Sequence, residues 1–278
     1  MSGSRLYILL PVYNRKRKTQ DFIAGLKKQT FQDFHLVLLD DGSTDGTADW
    51  VKQALPNVTV LQGNGTWWWG GALDVGREWL IQQNLDSDKL VLIINDDTII
   101  DSGFLEKGIQ ALLASPRSIL FAKNFSLKTG ALLDAGVLAD WKNLYFTCEI
   151  REEQINCLSS RGLLLRLEDL ISIGGFYPRL LPHYGSDYEY TYRAGKKGYH
   201  LFTVPEFRLS YDEASTGLQV IEAQGLVDFF KKSFSKRSPQ NPLMWSAFIL
   251  ISCPWQWKIQ NVLRVWVRLL RESVKHAL

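Results

Sequence analysis

Three continuous apolar runs punctuate the N-terminal third of the chain, at residues 6–10, 36–39 and 90–94, and a further strand-like run, Val58-Thr59-Val60-Leu61, lies between the last two. Continuous apolar stretches of this length, without polar alternation, predict strands buried on both faces. Segments of helical period lie between them. Residues 19–28 place Phe22, Ile23 and Leu26 on one face, and residues 47–54 follow a Thr44 or Asp45 cap. A third helix opens at Gly70-Gly71 and runs to Leu80. The alternation predicts an α/β domain with a mostly parallel sheet and right-handed crossovers.

Beyond Asp97 the pattern loosens. It predicts a helix at 103–113, a strand at 118–122 and a β-rich insertion over 124–160. A strand at 163–166, a short helix at 167–173 stopped by Gly174-Gly175, a helix at 187–195 and a late strand at 200–204 follow. From about residue 216 the character changes again. Residues 243–270 interleave Trp245, Trp255, Trp257 and Trp266 and many aliphatic residues with Lys and Arg, and Pro254 divides them. Such a pattern predicts a helix lying on a membrane surface. The alternative is a helix that packs on the core. The expected division is an α/β domain over 1–215 and a helical extension over 216–278.

Composition adds little to this outline, but charge does. The chain has 278 residues, 46% hydrophobic and 22% charged, as in an ordinary folded protein with a large core. A net charge of +3 gives no reason to expect nucleic acid. The basic residues are unevenly spread: Lys231, Lys232, Lys236, Arg237, Lys258, Arg264, Arg268, Arg271 and Lys275 crowd the last fifth. That predicts an anionic partner such as a membrane surface. No run reaches the roughly 18 uninterrupted apolar residues of a spanning helix. The run before Pro11 is too short and strand-like for a secretory leader. Cys148, Cys157 and Cys253 show neither metal-ligand spacing nor a disulfide framework, which fits a reducing cytosol. A cytoplasmic protein, peripheral on the inner face of the cell membrane, is expected.

Three acidic clusters carry the candidate chemistry. Asp40-Asp41-Gly42-Ser43-Thr44-Asp45 and Asn95-Asp96-Asp97-Thr98 each follow a predicted strand, and Asp187-Tyr188-Glu189-Tyr190 lies far downstream. Carboxylates at the C-terminal ends of parallel strands converge on one crevice, where open α/β sheets bind ligands. They suit a hard divalent cation, a nucleotide and a general base. Taken singly, each cluster also reads as a polar strand-to-helix turn or an acidic first helical turn.

These clusters, with Pro11-Val12-Tyr13-Asn14-Arg15 before them and Gly185-Ser186 leading into the third, resemble glycosyltransferase family 2 in order and spacing over roughly residues 5–215. Trp67-Trp68-Trp69-Gly70-Gly71-Ala72 is similar to a segment of bacterial rhamnosyl- and galactofuranosyl-type members. The resemblance implies a GT-A fold and an inverting transfer from a UDP- or dTDP-sugar to a glycan or lipid-linked glycan acceptor, in synthesis of a bacterial surface polysaccharide such as lipopolysaccharide or capsule. It makes Asp41 the reader of the pyrimidine base, with Asp40 supporting the loop, Tyr13 packing on the ring and Pro11 shaping the turn. Arg15, Trp69, Gly70, Gly71, Asp74, Asn95 and Asp96 fall to the donor. Asp97 becomes the ligand of Mg²⁺ or Mn²⁺, and Asp187 the base. His183, Glu189 and Arg193 line or support the acceptor side.

One departure stands out. Tyr211 sits where members often have a histidine that contacts metal or diphosphate, and Asp212 is the nearby substitute ligand. Two other readings compete: a catalytically inactive binding or scaffold protein of the same fold, and a sugar nucleotidyltransferase. The second would carry a Gly-rich basic loop after its first strand, and residues 11–15 contain no glycine.

Overall fold

The computed structural model describes residues 5–215 and 223–276. Residues 216–222, where the boundary of the C-terminal extension is expected, lie outside the described residues. Strand β1 (Leu6–Val12) pairs in parallel with β2 (Phe34–Asp40), and β2 with β3 (Val58–Gln62). On its other side β1 pairs in parallel with β4 (Leu90–Ile93). Helices α1 (Lys16–Lys27), α2 (Thr47–Ala54) and α3 (Trp68–Gln82) connect them. Leu6, Ile8 and Leu10 join one buried cluster with Phe22, Ile23 and Leu26 of α1, whereas Tyr7 and Leu9 join Leu73 and Leu80 of α3 in another. Both faces of β1 are therefore covered, which is why its sequence shows no polar alternation.

The second half is mixed. The short β5 (Thr98–Ile100) and α4 (Phe104–Leu113) lead to β6 (Ser118–Ser126), β7 (Leu132–Asp134) and an antiparallel ribbon of β8 (Leu138–Asp140) and β9 (Tyr145–Thr147). Strand β10 (Leu163–Arg166) then runs antiparallel between β4 and β6. Helices α5 (Leu167–Ile173) and α6 (Ser186–Lys196) precede β11 (His200–Tyr211), which is parallel to β6 and antiparallel to β5. The sheet order is β3-β2-β1-β4-β10-β6-β11-β5, with β7 beside β6. The parallel expectation holds for the first four strands and for β6 with β11. Strands β5, β7 and β10 depart from it. The late strand also runs seven residues past the predicted end at 204, to Tyr211.

Helices α7 (Leu226–Ser233), α8 (Pro242–Ser252) and α9 (Trp255–Lys275) complete the described chain. Met244, Phe248, Ile249 and Cys253 of the α8 segment are buried with Trp141, Val137 and Leu181 of the α/β portion. Asn261 of α9 donates from Nδ2 to the Trp141 carbonyl at 2.6 Å. The packing alternative is thus correct for α8 and for one face of α9. The opposite face of α9 exposes Trp255, Ile259, Leu263, Val267, Leu270 and Val274.

Candidate active site

Register places the acidic clusters on one edge. Asp40 is the last residue of β2 and pairs with Val12, the last of β1, while Asn95–Asp97 follow β4. The antiparallel β5–β11 pair sets Tyr211 opposite Thr98, so the end of the late strand returns beside Asp97. The three consecutive acidic-motif residues diverge. Asp96 is 3% exposed and turns inward to Arg15 Nε at 3.0 Å and Thr19 Oγ1 at 2.9 Å. Burial raises its pKa to about 6, against the opposing pull of Arg15. Asp97 turns the other way. Arg15 Nη2 lies 2.9 Å from its Oδ2, and Arg161 Nε lies 3.6 Å from its Oδ1. Asn95 holds Thr98 through its carbonyl, and its buried side-chain Oδ1 accepts no hydrogen bond among the described residues.

The two aspartates after β2 also differ. Asp41 accepts three backbone N–H groups: Gly65 at 2.9 Å and Trp67 at 3.1 Å on Oδ1, and Trp68 at 2.9 Å on Oδ2. One carboxylate therefore shapes the whole 63–68 loop. A Cβ at Gly63 would lie 2.7 Å from Asp41 Oδ1 and from the Trp67 ring, so only glycine fits. Asp40 receives Ser43 N–H on Oδ1 at 2.8 Å, while its buried Oδ2 has no hydrogen-bond partner among the described residues. Tyr13 is exposed beside them, where a base can stack.

The tryptophan run splits its duties. Trp67 and Trp69 pack against the core beneath α3. Trp68 has φ +58° and faces His183, with Lys236 and Arg237 over its ring at 5.8 and 6.0 Å. A bulky residue at positive φ is costly and persists only where its surroundings hold it. Gly70 donates to the Pro182 carbonyl at 2.8 Å, and a Cβ there would meet Leu181 O and Ser186 Oγ at 2.7 Å. Its close approach in the structure is to the loop before α6. Asp74 Oδ1 accepts the Phe176 N–H at 2.9 Å and so ties α3 to the turn after α5.

Asp187 stands in the first turn of α6. Ser160 donates to its Oδ2 from both backbone N–H (3.2 Å) and hydroxyl (3.1 Å), and Tyr188 N–H reaches Oδ1 at 3.0 Å. Burial nevertheless raises its pKa, outweighing these donors. Glu189, two residues on, is 1% exposed and faces away into a bidentate pair with Arg193, both contacts 2.8 Å. Arg193 also donates to the Ile173 and Gly175 carbonyls at 2.6 and 2.8 Å. The pair is a clamp between α6 and the α5–α6 connection. Burial lowers the His183 pKa, and nearby Arg237 lowers it further.

The expected cation meets a misfit. Asp97 lies between two guanidiniums, and Arg161 stacks on Tyr211 at 3.8 Å from the ring centroid. Asp212, the substitute ligand, pairs instead with Lys128 at 3.0 Å. Among the described residues no group of three or more His, Cys, Asp or Glu is placed to hold a metal ion. A divalent ion at a nucleotide site takes one or two carboxylates and completes its shell with substrate phosphates, and the carboxylate at hand, Asp97, already has Arg15 hydrogen-bonded to Oδ2 and a second guanidinium, Arg161, 3.6 Å from Oδ1.

Residues 7–147 match the family described as Glycosyl transferase family 2. The chain belongs to this family. A relative, the N-acetylglucosaminyl-diphospho-decaprenol L-rhamnosyltransferase of Mycobacterium tuberculosis, is 24% identical over 96% of this chain and 93% of its own length. Two solved structures share the fold. A mannosyltransferase from Pyrobaculum calidifontis, in complex with GDP-Man and Mn²⁺, superposes with a TM-score of 0.57 at 16% identity, over 97% of this chain and 76% of that one. Residues 1–349 of S. aureus TarS with UDP-GlcNAc give 0.58 at 17% identity, over 98% and 73%. This family 2 glycosyltransferase thus has the GT-A architecture implied by its motifs.

Sequence reading missed Ser160, Arg161 and Thr19, which hold or face the motif carboxylates, and Lys236 and Arg237, which face Trp68. None lies within the motif runs. Thr19 comes to Asp96 from α1, Ser160 and Arg161 arrive with the turn before β10, and Lys236 and Arg237 arrive with the C-terminal segment.

Proposed function

We propose that this glycosyltransferase moves a sugar, with inversion, from a UDP- or dTDP-sugar to a hydroxyl of a lipid-linked glycan during assembly of a bacterial surface polysaccharide. The observation that carries the reading is one short loop. In residues 159–162, Ser160 fixes the carboxylate of Asp187 while the next residue, Arg161, faces Asp97. The proposed base and the nucleotide edge are thereby fastened to adjacent backbone positions. The acceptor hydroxyl attacks the anomeric carbon opposite the leaving group. Its proton passes to Asp187, the new C–O bond forms as the old one to the diphosphate breaks, and the nucleoside diphosphate leaves with the bonding pair. Raised proton affinity suits Asp187 to that task. Tyr13 stacks on the pyrimidine, and Asp40, with its spare buried oxygen, joins Asp41 as a candidate partner for the ring N3–H.

A thermal-shift panel tests the donor class, since a ligand that binds only the folded state raises its stability by mass action. UDP- and dTDP-sugars are expected to raise Tm, and GDP-sugars are not. A response to GDP-sugars alone would remove the pyrimidine assignment.

The C-terminal extension is the proposed membrane contact. Along α9, at about 100° per residue, the exposed Trp255, Ile259, Leu263, Val267, Leu270 and Val274 fall within an arc of about 120°. Arg264, Arg268, Arg271 and Lys275 border it on one side. No described helix is long and apolar enough to cross a membrane, and a bordered stripe of this kind suits the cytosolic leaflet, where a lipid-linked acceptor resides. Trp266, expected at the interface, instead turns inward to Ser246 Oγ at 3.2 Å, and Trp255 is the outward residue. Full-length protein should float with anionic vesicles, and the Ile259→Glu/Leu263→Glu/Val267→Glu variant should not. These point changes spare α8, whose removal would uncover Trp141 and Leu181. Equal flotation of the two proteins would rule out this stripe as the contact.

A further inference from the structure

The group that faces Asp97 at the end of the sheet is a guanidinium. Arg161 belongs to the tight turn before β10. Gly162 has φ +96°, and a Cβ there would lie 2.7 Å from Ala122 Cβ, so the turn admits little else. The buried Asn124 donates from Nδ2 to the Arg161 carbonyl at 3.2 Å, and Ser160 is held against Asp187. The backbone of Arg161 is thus fixed from both sides. Its side chain, 17% exposed, is fixed as well, stacked on Tyr211 with Nε 3.6 Å from Asp97. Stacking on an aromatic face and a flanking carboxylate set the plane of the fork. The buried Nε makes no hydrogen bond among the described residues. A guanidinium has five N–H donors, and a phosphate oxygen pair matches the fork.

We propose that Arg161, oriented by Tyr211 and Asp97 and seconded by Arg15, supplies the positive charge that receives the donor's diphosphate, in place of a divalent cation. The inference rests on the nucleotide-sugar reading above and adds to it how the leaving group is neutralised. It also accounts for Tyr211. A neutral phenol is a poor ligand for a hard cation, but its ring is a good platform for a guanidinium. Asp97 is then a positioning residue for Arg161 and Arg15. As the C–O bond to the diphosphate breaks, the negative charge that develops on the leaving oxygen meets a preorganised cation that needs no loading step.

The test is equilibrium binding of UDP and dTDP to the full-length chain by titration calorimetry, in EDTA and in Mn²⁺. Wild-type affinity for the better nucleotide should agree within about threefold between the two media. Arg161→Gln should weaken it about tenfold or more in EDTA, the loss expected when a hydrogen bond to a charged group is removed. Arg161→Lys, which keeps the charge without the fork, should fall between. Asp97→Asn loosens both guanidiniums and should weaken binding, but its affinities in EDTA and in Mn²⁺ should still agree within about threefold, because no ion is lost with the carboxylate. Melting curves establish that each variant is folded, and should Arg161→Gln not fold, Arg161→Lys and Asp97→Asn carry the decision. Wild-type binding that requires Mn²⁺, with collapse on Asp97→Asn, would overturn the proposal and restore Asp97 as a metal ligand while leaving the donor class intact. Failure of both nucleotides to bind the wild type in either medium would overturn the nucleotide-sugar reading and this inference with it.

Discussion

Asp187→Asn is expected to lose sugar transfer by about 10²-fold or more while keeping nucleotide affinity, since general-base contributions are typically of that size. The amide preserves shape and the two donors from Ser160 but cannot take a proton. The pH profile gives an independent check. Burial raises the Asp187 pKa, and a base acts only when ionised. The acid limb of kcat/KM should therefore lie above the usual carboxylate range, with activity rising as pH rises through it. That limb should be missing from whatever residual activity the Asn variant shows. Near-normal turnover in the variant would reassign the base. Glu189 would then be a poor successor, because it is spent on Arg193.

The second large effect is structural. Glu189→Ala should lower the unfolding free energy by about 3–5 kcal/mol, the usual consequence of stripping one partner from a buried ion pair. Glu189 is 1% exposed, and Arg193 would remain committed to the Ile173 and Gly175 carbonyls. Its charge would be left without a counter-ion in the wall of α6. Urea denaturation measures the difference directly. A change below about 1 kcal/mol would mean that water or a neighbouring group reaches Arg193 and that the clamp is not a stability element. Because α6 also carries Asp187, the same variant should lose activity in proportion to its unfolded fraction, with the folded molecules turning over normally.

The legible parts of this fold are those where burial writes itself into composition. Strands β1, β2 and β4 are covered on both faces, so 6–10, 36–39 and 90–94 appear as unbroken apolar runs. Strand β5 went unread because it has three residues and one of them, Ile99, is 54% exposed. The long end of β11 was hidden by Pro205, Glu206 and Arg208, which sit where its pairing with β6 shifts register. The candidate site divides in the same way. Asp40, Asp41, Asn95–Asp97 and Asp187 stand out because they fall in clusters whose order and spacing resemble the family's motifs. Their partners do not stand out. Arg161 reaches Asp97 only because β10 inserts antiparallel between β4 and β6, a topology that no local pattern encodes. The inward face of α8 was ambiguous because an apolar stripe reads alike whether it meets protein or lipid.

The proposed transfer, with inversion, to a lipid-linked glycan is tested most directly on a defined acceptor. Full-length protein should be incubated with UDP- and dTDP-sugars and a polyprenyl-diphosphate-linked N-acetylhexosamine acceptor, and the product analysed by mass spectrometry and NMR. The account predicts an acceptor heavier by one sugar residue, with the new anomeric centre opposite in configuration to the donor. A product that retains the donor configuration, or hydrolysed donor with an unaltered acceptor, would contradict it.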